Sequence, residues 1–194
     1  MNVKRAVFVA TIFATAVFTA CIGNGRYCPA SDFVVTVTDD GTAVEITGYV
    51  GGNTAVRIPP TIQGLPVTQI GTGAFLARGL TGVTIPDSVL LIGTGAFAEN
   101  QLTHVTIPDG VLFIGLGAFD SNQLSKVAIP AGVTYISAGA FWNNRLTSVS
   151  IPDSVTVIGN GAFGFTSGLT SVSVPSHTEI HPDAFDPEVM VTRR

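Results

Sequence analysis

Apolar side chains return along this chain at one fixed interval. Ala-Phe pairs stand at Ala74-Phe75, Ala96-Phe97, Ala118-Phe119, Ala140-Phe141, Ala162-Phe163 and Ala184-Phe185, each 22 residues after the last. In register with them run Ile70, Ile92, Ile114, Ile136, Ile158 and Ile180. A second set, Leu-x-x-Val-x-Ile-Pro, begins at Leu80, Leu102, Leu124 and Leu146, and a Val-Pro version begins at Leu169. The last copy gains one residue before Leu169 and loses one after Pro175, so the period survives a compensated slip. Self-similarity at this spacing is the mark of stacked repeats.

Each repeat presents seven apolar residues to one side, for example Leu102, Val105, Ile107, Val111, Ile114, Ala118 and Phe119. Seven side chains cannot close a core alone, but they can stack on the same seven in the neighbouring coil. Val105-Thr106-Ile107 alternates as a β-strand does, and the proline after it ends the pairing because it has no N–H to donate. The pattern therefore predicts a mainly β repeat solenoid with coils of 22 residues over 70–185, rising about 4.8 Å per coil. The glycines of Ile-Gly-x-Gly-Ala-Phe suit a tight turn packed close to the next coil. Asn100, Asn122 and Asn144 share one corner, where stacked amides satisfy backbone groups.

The repeat Leu-Thr-x-Val-x-Ile-Pro-Asp-x-Val-x-x-Ile-Gly-x-Gly-Ala-Phe resembles the BspA-type leucine-rich repeat, a short bacterial class also seen in treponemal leucine-rich proteins. The resemblance spans about Phe33 to Phe185. It departs from the family at the corner after the phenylalanine, where asparagine stands in place of the common cysteine. The resemblance implies a leucine-rich repeat fold and a surface protein that attaches to host matrix or plasma proteins, or to other bacteria.

Before the regular repeats, Phe33 to Thr38, Asp39-Asp40-Gly41 and Ala43 to Thr47 read as a hairpin. Thr54 to Pro59 reads as an irregular first coil, with about five extra residues around Pro60 to Pro66. Residues 33–69 are thus expected to form an N-terminal β-hairpin cap and first coil, covering an edge that otherwise templates aggregation. Residues 186–194 form a thin C-terminal cap, which makes self-association plausible.

The chain opens with a leader. Lys4-Arg5 precede an apolar run from Ala6 to Thr19, roughly 14 residues and too short for a comfortable membrane span. Residues 1–20 read as a signal peptide. Phe18-Thr19-Ala20-Cys21 resembles the bacterial lipobox, with phenylalanine where leucine is usual. It implies a lipidated Cys21, a membrane anchor of more than one acyl chain and a tether over 21–32. Cys28 is then a free thiol or forms an intermolecular disulfide. The rival reading is ordinary signal-peptide cleavage, with Cys21 and Cys28 closing a small disulfide in an oxidising compartment. Both readings export the chain, to the outer membrane or cell surface in the first and to the periplasm or medium in the second.

Charge and chemistry narrow the function. Without Lys4 and Arg5 the chain carries seven basic against thirteen acidic residues, with no basic cluster, which argues against nucleic acid. No nucleophile motif, phosphate loop or cofactor motif is found, so the chain reads as a binding protein rather than an enzyme. The one polar constellation is His177, Glu179, His181 and Asp183, which alternation would place on one side as a weak metal candidate. The period, however, gives Ile180 to the core and leaves its neighbours on a solvated face. His104 and Lys126 lie on a strand face beside Thr84, Thr106, Ala128, Ser150 and Ser173, a flat ladder of small side chains. Between the inward Val and Ile positions, Leu91, Phe113, Tyr135 and Val157 form either an exposed apolar strip or a row half covered by neighbouring coils. An exposed strip would bind a protein partner or a second copy. Trp142, beside core Phe141, is a minor candidate anchor exposed at a turn. A structural envelope component that binds itself or another envelope protein is the alternative function.

Overall fold

A computed structural model describes residues 26–194 of the chain. The leader, the cleavage site and Cys21 lie outside the described residues.

The fold is built from two parallel ladders and a corner between them. In the first ladder, Leu91–Ile92, Phe113–Ile114, Tyr135–Ile136, Val157–Ile158 and Glu179–Ile180 stack so that each isoleucine pairs with the one 22 positions on. The ladder continues towards the N-terminus through Leu65–Ile70 and Val44–Tyr49. Phe33–Val37 then pairs antiparallel with Val44–Tyr49 at its outer edge. The extra residues around Pro60 form a small hairpin, Thr61–Ile62 against Leu65-Pro66. Its two-residue turn has Gln63 at φ 56° and Gly64 at φ 79°, the positive values a tight hairpin turn needs.

The second ladder is paired in three pieces. Ala55–Arg57 pairs with Gly82–Thr84, Lys126–Ala128 with Ser148–Ser150, and Ser171–Val174 with Met190–Arg193. Val105-Thr106-Ile107 keeps the buried-exposed-buried alternation but is not paired as a strand, which corrects the uniform ladder the repeat suggests. Met190–Arg193 joins three residues early: Ser171 lies opposite Met190, 19 residues away, because the corner at Asp186-Pro187 is shorter than in the other coils.

Between the ladders the phenylalanines form a continuous stack. From Phe75 to Phe163, neighbouring ring centroids lie 5.0–5.4 Å apart with interplanar angles of 3–14°. Phe185 extends the stack at 5.2 Å, and Tyr49 closes its other end at 5.4 Å. Backbone bonds run along the same corner, as where Phe97 N–H donates to Ala118 at 2.8 Å. The two glycines before it do different jobs. A Cβ on Gly115 would lie 2.5 Å from the backbone of Gly93, whereas Gly117 holds φ 59°.

Ahead of the hairpin the chain is docked rather than loose. Cys28 N–H donates to Arg57 at 2.9 Å, and the Arg57 N–H donates to Cys28 Sγ at 3.3 Å. Cys28 is buried and disulfide-bonded, which corrects the free-thiol expectation. At the other end Arg193 and Arg194 tie the last strand to earlier coils. Arg193 donates to the carbonyls of Pro175 and Thr178, and Arg194 to those of Ser173 and Ile151.

Candidate interaction surfaces

The outer face of the first ladder carries the apolar strip. Ile92, Ile114 and Ile136 point into the core, so their predecessors Leu91, Phe113 and Tyr135 point out. Phe113 is 43% exposed and Tyr135 44%, whereas Leu91 and Val157 are only half-buried. The row ends in polar residues, Gln69 opposite Leu91 and Glu179 opposite Val157. Leu90 and Leu112 add to the strip, and Leu112 at 59% is its most exposed member. The sequence pattern placed the weight on Leu91, Phe113, Tyr135 and Val157. The position immediately after inward Val89 and Val111 faces solvent more fully.

Under this strip the scaffold gives up hydrogen bonds. Ser88 donates its hydroxyl to the Val67 carbonyl and Ser154 to the Val133 carbonyl, both at 2.8 Å. At the two equivalent positions between them the chain has Gly110 and Gly132, which carry no hydroxyl. At Gly132 a leucine occupies the space, and at Gly110 one lies in contact. A Cβ built on Gly132 would lie 2.8 Å from Leu112 Cδ2, and one on Gly110 3.8 Å from Leu90 Cδ2. The Ser-to-Gly change was the sequence signal for Leu90 and Leu112.

The second ladder's face is flat and polar. His104 is exposed with its Nδ1 3.2 Å from the Thr103 hydroxyl, and Lys126 is exposed on the next coil. The histidine cluster at the C-terminal end does not converge. His177 reaches the Asp153 carbonyl at 3.0 Å, while His181 Nδ1 accepts from the Asp183 N–H at 3.2 Å. Glu179 sits on the first ladder, and Ile180 is half-buried rather than fully enclosed. Among the described residues no group of three or more His, Cys, Asp or Glu gathers as a metal site.

The corner after the phenylalanines holds the least expected feature. Ala77, Glu99, Ser121, Asn143 and Phe165 all take left-handed φ values of 52–56°. That is uncommon for any residue but glycine and costly for a bulky aromatic one. Phe165 is nevertheless there, 65% exposed, with Asp186 accepting the N–H groups of Phe165 and Thr166 at 2.7 and 2.9 Å. Its ring lies 4.6 Å from that of Trp142, which is half-buried rather than exposed as expected. Trp142 covers Gly161 and Gly164, where a Cβ would come within 2.7 and 2.5 Å of its ring. The register with Ala77, Glu99, Ser121 and Asn143 was the signal for Phe165.

These repeats match a known family model. The model for the BspA type leucine rich repeat region covers residues 68–190 in six copies. The chain belongs to the BspA-type leucine-rich repeat family. Its solenoid is similar to the T. pallidum leucine rich repeat protein, with a TM-score of 0.68 and 26% identity over 86% of each chain. It is also similar to a leucine-rich repeat protein from Bacteroides ovatus, with a TM-score of 0.63 and 25% identity. That match covers 84% of this chain and 51% of the Bacteroides one. A leucine rich cell surface protein from Faecalibacterium prausnitzii shares the fold at a TM-score of 0.55 and 22% identity, covering 88% of this chain and 55% of its own. No curated protein sequence matches this BspA-type chain. Among its described residues no helix is long and apolar enough to cross a membrane.

Proposed function

We propose that this BspA-type protein is an exported cell-surface binding protein that holds a protein partner on the apolar strip of its first ladder. The observation that carries this reading is the cluster Leu90, Leu112, Phe113 and Tyr135. It is exposed, contiguous across three coils and seated on glycines that have replaced hydrogen-bonding serines. Contiguous exposed apolar patches on folded proteins mark contact sites. Aromatic residues at the centre of a patch with polar ends, here Gln69 and Glu179, fit the anatomy of a protein interface. The partner class is a host matrix or plasma protein, or a protein on another bacterium. The leucine-rich repeat scaffold supports the reading of a binding protein.

The test is direct binding of the chain to immobilised plasma and matrix proteins, compared with a Leu112→Ser/Phe113→Ser variant. The variant is expected to lose more than about tenfold in affinity, with unchanged circular dichroism and thermal midpoint. Equal binding by a folded variant overturns the strip. Protease accessibility on intact cells tests the surface location, since an adhesin must be cleavable from outside.

One further observation favours a second reading, a structural envelope component that binds itself. Met190–Arg193 is an edge strand exposed along its whole length, with Met190 and Val191 presenting apolar side chains. Open edge strands pair with other chains. Sedimentation velocity over a concentration series separates the readings. Association that disappears in Val191→Lys supports self-assembly, and a monomer at all concentrations removes it.

A further inference from the structure

We propose that the corner groove between the phenylalanine stack and the second ladder binds a saccharide carrying a carboxylate. The groove has a volume of about 650 Å³ and is lined from five successive coils, within the range of small-ligand sites. Its wall side chains include Ser121, Gln123, Asn143, Arg145, Phe165 and Ser167.

Three observations select the ligand class. The first is what the backbone there cannot do. Asn100, Asn122 and Asn144 spend their amides on the corner backbone: Asn144 alone donates to the carbonyls of Phe119, Phe141 and Trp142 at 2.9–3.1 Å. Asn122 and Asn144 accept from the N–H groups of Leu102 and Leu124. An extended peptide that needs main-chain partners finds these groups taken. Recognition falls to side chains, and those of Gln123, Arg145 and Ser167 make no hydrogen bond within the described residues. Amide, guanidinium and hydroxyl groups on successive coils, about 4.8 Å apart, suit hydroxyls spread along a sugar chain.

The second is Phe165. An exposed aromatic ring in the wall of a polar groove offers a stacking surface for the C–H face of a pyranose. Phe165 takes the left-handed corner position that Ala77, Glu99, Ser121 and Asn143 share, and Gly164 leaves room for the supporting Trp142 ring. Among these five positions it alone carries an aromatic ring.

The third is charge. Arg145 makes no ion pair among the described residues. The nearest carboxylate in the wall, Asp186, is already accepting two backbone N–H groups. A carboxylate on the ligand gives the guanidinium a planar, bidentate partner.

Trp142 is the chain's only tryptophan, so its emission reports on the groove. The full chain is titrated with an oligogalacturonide, with a neutral galactose oligosaccharide of equal length, and with short peptides ending in a free carboxylate. The expected result is a saturable emission change with the oligogalacturonide, and affinity at least about tenfold lower for the neutral sugar. Arg145→Gln is expected to abolish that preference. Phe165→Ser, which installs the residue that position 121 already carries, is expected to remove binding from a chain that remains folded. The proposal is overturned by the absence of a saturable change with any saccharide, by equal affinity for the neutral sugar, by unaltered affinity in both variants, or by peptides binding where saccharides do not. None of these outcomes touches the apolar strip, so the two surfaces stand or fall separately.

Discussion

The side-chain amide of Asn122 donates to the carbonyl of Phe97, one coil earlier, at 2.9 Å, while its oxygen accepts from Leu102 N–H at 3.0 Å. The same amide reaches the carbonyls of Phe119 and Asp120 in its own coil. One buried residue therefore closes a corner and ties two coils together. Asn122→Ala would leave several buried backbone groups without partners, each costing about 1–3 kcal/mol. A loss of about 2–4 kcal/mol in urea unfolding is expected, because some of those groups can find water at the corner's edge. Asn122→Asp keeps the acceptor, loses both donor hydrogens and should cost nearly as much. A loss below about 1 kcal/mol in both would show that the amide is not what holds the corner.

Gly132→Ser separates binding from stability. The new Cβ would meet Leu112 Cδ2 at 2.8 Å and push that flexible end aside. Its hydroxyl would lie where Ser154 bonds the Val133 carbonyl, here facing Val111. Stability should hold or rise by about 0.5–1 kcal/mol, the net worth of an added hydrogen bond, while partner binding falls. Thermal unfolding beside the binding assay reads both. Binding retained with Leu112 displaced would remove that leucine from the interface.

The repeat was legible because it is periodic. Isoleucine, alanine and phenylalanine at one spacing require a stack, and the rings of Phe97 and Phe119 duly lie 5.4 Å apart. What could not be read lies where identical letters meet different neighbours. Val105-Thr106-Ile107 alternates buried and exposed as Lys126–Ala128 does, yet lacks its pairing. Trp142 looked exposed because its own coil offers no cover. The ring is half-buried on Gly161 and Gly164 of the following coil. His177 and His181 share a parity in the sequence, but only Glu179–Ile180 between them is strand, so parity does not carry through to position. Leu112 and Phe165 were hidden for the opposite reason: their significance appears only when each is compared with its equivalents one coil away.

The hairpin turn should respond to acid. The Asp40 carboxyl is held down to about 2, first by the Thr38 hydroxyl and then by the hydroxyl and N–H of Thr42. An aspartate in an unfolded chain titrates near about 3.9. The folded value is the lower one, so the stabilisation is present above about pH 4 and is lost as the pH falls towards 2. Because Asp40 is exposed, the effect belongs to the turn and not to the whole fold. A carboxyl titration by NMR should place the Asp40 midpoint near 2, and Thr38→Val with Thr42→Val should return it to the ordinary aspartate range. A midpoint unmoved by both substitutions would remove the hydroxyls as its cause.

Cys21 and Cys28 provide the last test, because one sulfur cannot serve two chemistries. The chain has two cysteines, and Cys28 is disulfide-bonded and buried. A Cys21 carrying a thioether-linked lipid has no sulfur left for a disulfide. A Cys21 in a disulfide cannot be the anchor. Each state nevertheless requires export, the lipid because it is added in the envelope and the disulfide because it persists in an oxidising compartment. Radiolabelled palmitate incorporated into the wild-type chain but not into Cys21→Ser assigns the anchor. The Cys28 disulfide would then join two chains and run as a dimer on non-reducing electrophoresis. No incorporation, with thiol labelling appearing only after reduction, assigns the disulfide and an unanchored exported protein. The buried position of Cys28 adds a readout: once freed it should label slowly in the native state and at full rate in urea, because its Sγ is enclosed against Arg57.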